Sequence, residues 1–482
     1  MKLLRSLALL AVAGLSLAGC TQPRPKAIQG CNYTMRPIDV TPEWQAHRRR
    51  PVAENALLEA GAPVADPLAA ALQARRRSKQ LPAATPGLVA AAIQPDQFLA
   101  LSGGGQHGAF GAGFFYGLAS QGALPEWDIV TGVSTGSLQS TLLFLANQRV
   151  PKDRDYPAWV DGPLSGQEGE TGFVVKPGTS NVGDLVLAYS ILKEADLLRV
   201  RAGGAGLGAV LKGSSASFGP LRARLLKIMS LETLRLVAEE GARNRRLLVG
   251  VSNLDDGKAY SIDLTALVAP MASHSLSVAD EERIHGCYVD ALLASSSVPP
   301  GVPPVTLERQ VEGSPVQPIE ATRTQMYMDG GARFGMFLQP QIEAFKAAGP
   351  GGKAEITLMV NTSMNPGSWS GTAQPVQRWS AVTAALRAVD LLETQVYSFS
   401  AAQVEGLGLR YGWLRMAVLA ATDGGEQPDD HVFDGKTCAQ WQAIDAQAKP
   451  MQFYPWYMAC TADYGRSRGV TQQWNHRVPA QP

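Results

Sequence analysis

The sequence predicts an α/β fold in which a parallel sheet carries helices on its faces. Three observations predict it. First, residues 98–101 and 129–132 read as short buried strands, each bounded by glycine-containing turns. Second, each strand runs directly into a helix, at 109–118 and at about 136–146, and strand–turn–helix repeated in order is the start of a parallel sheet. Third, hydrophobic residues make up 45% of the 482 positions and charged residues only 18%, enough apolar material for a sizeable core and too much for wholesale disorder.

The N-terminus sets the compartment. Lys2 and Arg5 give a positive start, and 7–17 is an apolar stretch shorter than the roughly 20 residues a spanning helix needs. It reads as a secretion signal. Its end, Leu17-Ala18-Gly19-Cys20, resembles a bacterial lipobox, which implies a signal peptide over 1–19 and lipidation of Cys20. Thr21 in place of an Asp favours the outer membrane. Several acyl chains on one cysteine, at about 0.8 kcal/mol per buried methylene, would hold the chain at a bilayer.

Residues 20–95 read as an Ala/Pro/Arg-rich tether, with Arg48-Arg49-Arg50 and Arg75-Arg76-Arg77 and a short helix near 57–72. Basic residues outnumber acidic ones two to one over 21–80. Two readings stay open: attraction to anionic headgroups, or a solvated linker. The whole chain has a formal charge of +1, and no basic run is interleaved with aromatics, so nothing points to nucleic acid. Of the other cysteines, Cys438 and Cys460 are close enough in sequence to close a loop, Cys287 sits in an apolar run and reads as a buried free thiol, and with Cys31 they match no zinc spacing.

The folded domain is expected over 96–425. Helices are expected near 184–194, 220–229 and 231–242, a hairpin over 247–252 and 259–263 around Asp255-Asp256-Gly257, strands at 326–328 and 356–361, and a long helix over 381–404. The Gly-, Pro- and Ser-rich stretches 150–183 and 201–219 read as loops. After 425 the composition turns polar and aromatic, and 426–482 is left as an extension without an assigned role.

Three constellations carry chemistry. Gly132-Val133-Ser134-Thr135-Gly136 places a serine between a strand and a helix, where a sharp turn exposes the hydroxyl; Gly132 and Gly136 permit the close packing of that elbow. Gly103-Gly104-Gly105-Gln106-His107-Gly108 lets backbone amides crowd a developing oxyanion, one donor of which typically contributes about 3 kcal/mol. It lacks the Lys-Ser/Thr of a nucleotide P-loop. Asp329-Gly330-Gly331 puts a carboxylate at a strand end, able to take a serine proton directly. An isolated Asp-Gly-Gly is more often only a turn.

Order and spacing make these motifs informative together. With Ala294-Ser295-Ser296-Ser297-Val298-Pro299 and Pro303-Pro304 between them, they resemble the patatin-like phospholipase family from about 98 to 340. The resemblance implies a three-layer α/β/α fold with a mainly parallel sheet, Ser134 as nucleophile, Asp329 as base, the amides of Gly103, Gly104 and Gly105 as oxyanion hole, and hydrolysis of acyl esters in phospholipids or lysophospholipids without a metal or cofactor. The partners implied are a lipid substrate and, through Cys20, a membrane. Two positions depart from the family pattern. His107 stands where Arg or Lys is common and would assist a phosphate only when protonated. Ala332-Arg333-Phe334-Gly335 replaces an Asn-Pro continuation. Two alternatives remain: a non-catalytic lipid- or partner-binding lipoprotein, and a Ser-His-Asp esterase drawing on His431 or His476.

Overall fold

The computed structural model describes residues 23–38, 67–79, 94–166, 173–201, 214–273, 275–299, 301–311, 321–348, 353–364, 381–411, 414–419 and 428–477. Cys20, Arg48–Arg50 and His274 lie outside them. The N-terminal half contains β1 (Met35–Ile38), α1 (Pro67–Lys79), β2 (Asp96–Leu101), α2 (Gly108–Ser120), β3 (Ile129–Val133), α3 (Thr135–Phe144), α4 (Asn181–Tyr189), α5 (Gly219–Ile228) and α6 (Leu231–Ala242). Then come β4 (Arg246–Asn253), β5 (Ala259–Asp263), α7 (Val278–Ser296), β6 (Val305–Val311), β7 (Ala321–Asp329), α8 (Gln339–Ala347), β8 (Ala354–Val360) and α9 (Ala381–Tyr411). The chain closes with β9 (Leu414–Val418), α10 (Cys438–Asp445), α11 (Pro455–Val470) and β10 (His476–Arg477). Among the described residues no helix is long and apolar enough to cross a membrane.

Ten strands form one sheet in the order β1-β5-β4-β3-β2-β8-β9-β10, with β7 joined to β4 and β6 to β7. The five central strands, β4 to β9 in that order, are parallel. The others join by antiparallel pairing. Strand side chains alternate between faces. Phe98 and Ala100 of β2 pack with Leu72 of α1, Ile342 of α8 and Val404 of α9. Leu99 and Leu101 pack with Phe110 of α2, Leu143 of α3, Leu292 of α7 and Met458 of α11. The result is the expected three-layer α/β/α arrangement. Each large apolar side chain buried in these layers contributes about 1.5–3 kcal/mol.

Two parts of the chain are more integrated than the sequence suggested. The stretch 20–95, expected as a tether, contains β1, which pairs with β5, and α1, which packs on α8. Arg75 bonds Asp128 and Glu126, and Arg76 bonds Asp96, so two arginines of the second basic run neutralise acids at the N-terminal end of the sheet. Cys287 is not a free thiol. It is disulfide-bonded to Cys31, because the segment before β1 lies across α7, where the Tyr33 hydroxyl also donates to the Cys287 carbonyl.

The stretch 426–482, expected as an extension, is also part of the domain over its described residues. α11 lies directly on α2. A side-chain carbon added at Gly113 or Gly117 would stand 1.8 or 2.3 Å from the carbonyl oxygens of Ala462 or Arg466; one at Gly465 or Gly469 would stand 2.1 Å from those of Phe110 or Phe114. Glycines four residues apart on each helix thus bring the two backbones into contact. Cys438 and Cys460 form the disulfide that joins α10 to α11.

Candidate active site

The sheet register brings the two halves of the site together. β3 ends with Val133 opposite Gly250 of β4. β7 arrives on the same edge of β4 from the other direction and ends with Asp329 opposite Val251. Neighbouring residues of one strand therefore hold Ser134 and Asp329 at a common point, though they are far apart in sequence.

Ser134 turns the chain from β3 into α3 with φ 54° and ψ −125°. A non-glycine residue held there stores strain of about 1–3 kcal/mol. The flanking glycines make the turn possible by close packing: a side-chain carbon at Gly132 would meet the Gly136 oxygen at 2.4 Å, and one at Gly136 would meet the Leu101 oxygen at 2.5 Å. The serine run at the end of α7 braces the turn. The Ser134 N–H donates to Ser295 Oγ at 3.2 Å, and Ser295 Oγ donates to the Gly250 carbonyl at 2.7 Å. Ser296 Oγ donates to the Ser134 carbonyl, and the Asp329 N–H donates to the Ser297 carbonyl.

Asp329 is 1% exposed. Its Oδ1 accepts the Gly331 N–H at 2.7 Å, while Oδ2 is enclosed with no partner within hydrogen-bonding distance. The Ser134 hydroxyl favours the carboxylate as a hydrogen-bond donor, although no bond to Oδ2 is closed in the resting geometry. Burial pushes the carboxyl pKa up to about 7; the Ser134 hydroxyl and Gly331 N–H oppose this, and the charge of Glu393 adds to it. A base poised near neutrality suits proton transfer from a serine.

The glycine loop follows β2. Asn361, at the end of β8, pins it: its N–H donates to Ser102 Oγ and its amide to the Ser102 carbonyl, at 2.8 and 3.0 Å. Gly104 has φ 147° and Gly105 φ 55°, and a side-chain carbon at Gly104 would stand 2.1 Å from the Asn361 oxygen. Gly103, expected as an oxyanion donor, gives its N–H to the Gly335 carbonyl at 3.3 Å. Among the described residues no backbone carbonyl takes the N–H of Gly104 or Gly105, so both remain able to donate. His107 packs edge-on against Tyr457. Part of the residue stays accessible, but burial of the ring lowers its pKa to about 4. It is neutral at physiological pH, so it does not serve there as the cationic phosphate contact considered from the sequence.

A cavity of about 380 Å³ opens at Ser134, within the usual range for ligand sites. Its walls are mostly apolar: Leu138 and Leu142 of α3, Leu221, Leu225 and Ile228 of α5, Val298 and Met458. Phe218 and Ser215, from the stretch read as a loop, also line it. Two site residues carried no local signal in the sequence. Glu393 and Tyr397 come from α9 and meet Gly331 and Gly103 beside Ser134; only the tertiary packing of that helix reveals them.

A family model described as patatin-like phospholipase matches residues 99–339. The chain belongs to the patatin-like phospholipase family. Membership makes it a lipid hydrolase in the general sense, and the matched span contains the glycine loop, Ser134 and Asp329. No curated protein matches the chain. The crystal structure of VipD from Legionella pneumophila aligns over 78% of this chain and 67% of its own, at 11% identity with a TM-score of 0.24; so loose an overlap adds nothing to the assignment. The histidines held open from the sequence lie elsewhere. His431 bonds Asp463 beside α11, His476 pairs with Glu405, and neither lines the cavity at Ser134.

Proposed function

We propose that this protein is a serine acyl hydrolase that cleaves carboxylic esters of phospholipids or lysophospholipids through Ser134 and Asp329. The observation that carries this reading is the abutment of β3 and β7 on β4, which sets the elbow serine beside a buried carboxyl at the mouth of an apolar cavity.

In this mechanism the acyl chain lies in the cavity. Asp329 Oδ2 takes the Ser134 proton as Oγ bonds to the ester carbonyl carbon. The carbonyl oxygen becomes an oxyanion held by the Gly104 and Gly105 N–H groups. As the intermediate collapses, the C–O bond to the alcohol breaks and Asp329 returns its proton to the leaving oxygen. Water then attacks the acyl-Ser134, its proton passing to Asp329 and on to Ser134 Oγ as the fatty acid departs.

Lipidation of Cys20 belongs to the same proposal and gives the enzyme a place at an outer-membrane surface. The chain after it is pinned early: Arg24 forms a paired contact with Asp255, and Cys31 is disulfide-bonded to Cys287. Four residues from Cys20 to Arg24 reach at most about 14 Å, so a lipidated chain would hold the domain close to the bilayer. Cys20→Ser should release the protein from the membrane fraction.

Hydrolysis of a lysophospholipid and of p-nitrophenyl esters by wild type, Ser134→Ala and Asp329→Asn tests the reaction. Loss of most of the rate in both variants is expected. Variants that match wild type would refute the dyad. Absence of turnover in every form would favour a lipid-binding lipoprotein.

A further inference from the structure

Tyr397 leaves a buried hydroxyl beside the nucleophile without a partner. The residue lies mid-way along α9 and is 3% exposed. Its hydroxyl oxygen is enclosed and makes no hydrogen bond among the described residues. Two glycines fix where that oxygen sits. A side-chain carbon at Gly103 would stand 1.7 Å from it and 2.9 Å from Ser134 Cβ. One at Gly331 would stand 2.9 Å from it, 3.1 Å from Asp329 Oδ1 and 3.3 Å from Glu393 Oε1. The hydroxyl thus fills the space between the glycine loop, the nucleophile and the carboxyl. Enclosing an unpaired hydroxyl is costly, and phenylalanine would fill the same space without that cost.

Across this space, Asp329 has an enclosed Oδ2 to which no hydrogen bond is closed, the Ser134 hydroxyl being the donor that acts on the carboxylate, and Tyr397 lies within reach of its charge. We propose that Tyr397 is a positioning residue for Asp329: its hydroxyl donates to the carboxylate whenever Asp329 is ionised, and holds the base charged and aimed at Ser134. This rests on Asp329 acting as the base. Tyr397 remains a donor, because burial, reinforced by the charges of Asp329 and Glu393, pushes its own pKa well above the ordinary tyrosine value. The groups facing Asp329 are Ser134 from the elbow, the Gly331 N–H from the following turn, the Ser297 carbonyl from α7, and Glu393 and Tyr397 from α9. Its neighbours on β4, Gly250 and Val251, carry no charge. Glu393 opposes ionisation, and the tyrosine offsets it. Tyr397 does not line the cavity, so its effect falls on kcat and not on KM.

The test is the pH profile of kcat and KM for a soluble ester, measured for wild type, Tyr397→Phe and Asp329→Asn. For Tyr397→Phe the acid limb of kcat should move up by about one pH unit, a roughly tenfold deficit below the limb that closes above it, with KM unchanged. An acid limb that stays in place overturns the proposal, whether the rate is unchanged or falls equally at every pH. Should Tyr397→Phe fail to fold, 3-fluorotyrosine at position 397 has nearly the same shape and a more acidic hydroxyl, so it should move the limb down; an unmoved limb overturns the proposal. If Asp329→Asn keeps the wild-type rate, the dyad reading falls and takes this one with it. If Asp329→Asn is inactive and Tyr397→Phe leaves the limb in place, only the role of Tyr397 falls.

Discussion

Leu142→Phe should change which esters the enzyme prefers. α3 leads away from the nucleophile, and Leu138 and Leu142 on one of its faces line the cavity. At 1.5 Å per residue, Leu142 stands about 12 Å beyond Ser134, roughly the reach of a medium-length acyl chain. Leu142 is otherwise enclosed by core, so the extra volume of a phenylalanine ring has the cavity as its outlet. If it displaces roughly two or three methylenes at about 0.8 kcal/mol each, the loss is about 2 kcal/mol, or roughly thirtyfold in kcat/KM. That loss should appear for a palmitate ester and be absent for a butyrate ester. The assay is p-nitrophenol release across a ladder of chain lengths, with the melting temperature recorded because overpacking a core costs about 1–3 kcal/mol. Equal losses on butyrate and palmitate in a folded variant, or no loss on palmitate, would refute the placement of the acyl chain in this cavity.

Three further outcomes are expected. Gly104→Ala should lower kcat at least a hundredfold, because the new methyl would stand 2.1 Å from the Asn361 oxygen at a backbone φ of 147°; near-normal turnover would show that Gly104 is not part of the oxyanion hole. Asp329→Asn should be more stable than wild type under alkaline conditions, by an amount on the order of a few kcal/mol. The folded-state pKa, about 7, lies above the ordinary carboxyl value of 3.8, so the contribution of this carboxyl to stability is full below 3.8 and lost as pH rises through about 7; urea titrations at both extremes should show the advantage vanish in acid. Removing the Cys31–Cys287 disulfide, which spans 256 residues, should cost about 5 kcal/mol, against about 3 kcal/mol for Cys438–Cys460, which spans 22. The reverse order of melting temperatures in the paired Cys→Ser variants would contradict the chain-entropy argument.

What the sequence disclosed follows from where each signal resides. The strand–turn–helix units around Ser134 and the glycine loop are local, and local periodicity and turn chemistry expose them. Asp329 was legible because it ends a strand and precedes two glycines. Tyr397 and Glu393 were not, because a residue on a long helix reaches the site only through packing across layers. The Cys31–Cys287 pairing joins a stretch read as a linker to an apolar run, and nothing in its spacing indicates a bond. Gly103 is equivalent to its neighbours in sequence, and only the Gly335 carbonyl on its N–H sets it apart. The place of α11 has a signal in the sequence: Gly113 and Gly117, like Gly465 and Gly469, recur at helical spacing. The helix over α7 was not anticipated, yet its closing serines proved to be the brace of the elbow.

Covalent capture of the nucleophile tests the central claim most directly. Wild type and Ser134→Ala are incubated with a fluorophosphonate and analysed by intact and peptide mass. Addition of one phosphonyl group to the peptide containing Ser134, absent from Ser134→Ala, is the predicted result. A folded wild type that takes up no label, or takes it up on another residue, would contradict the account.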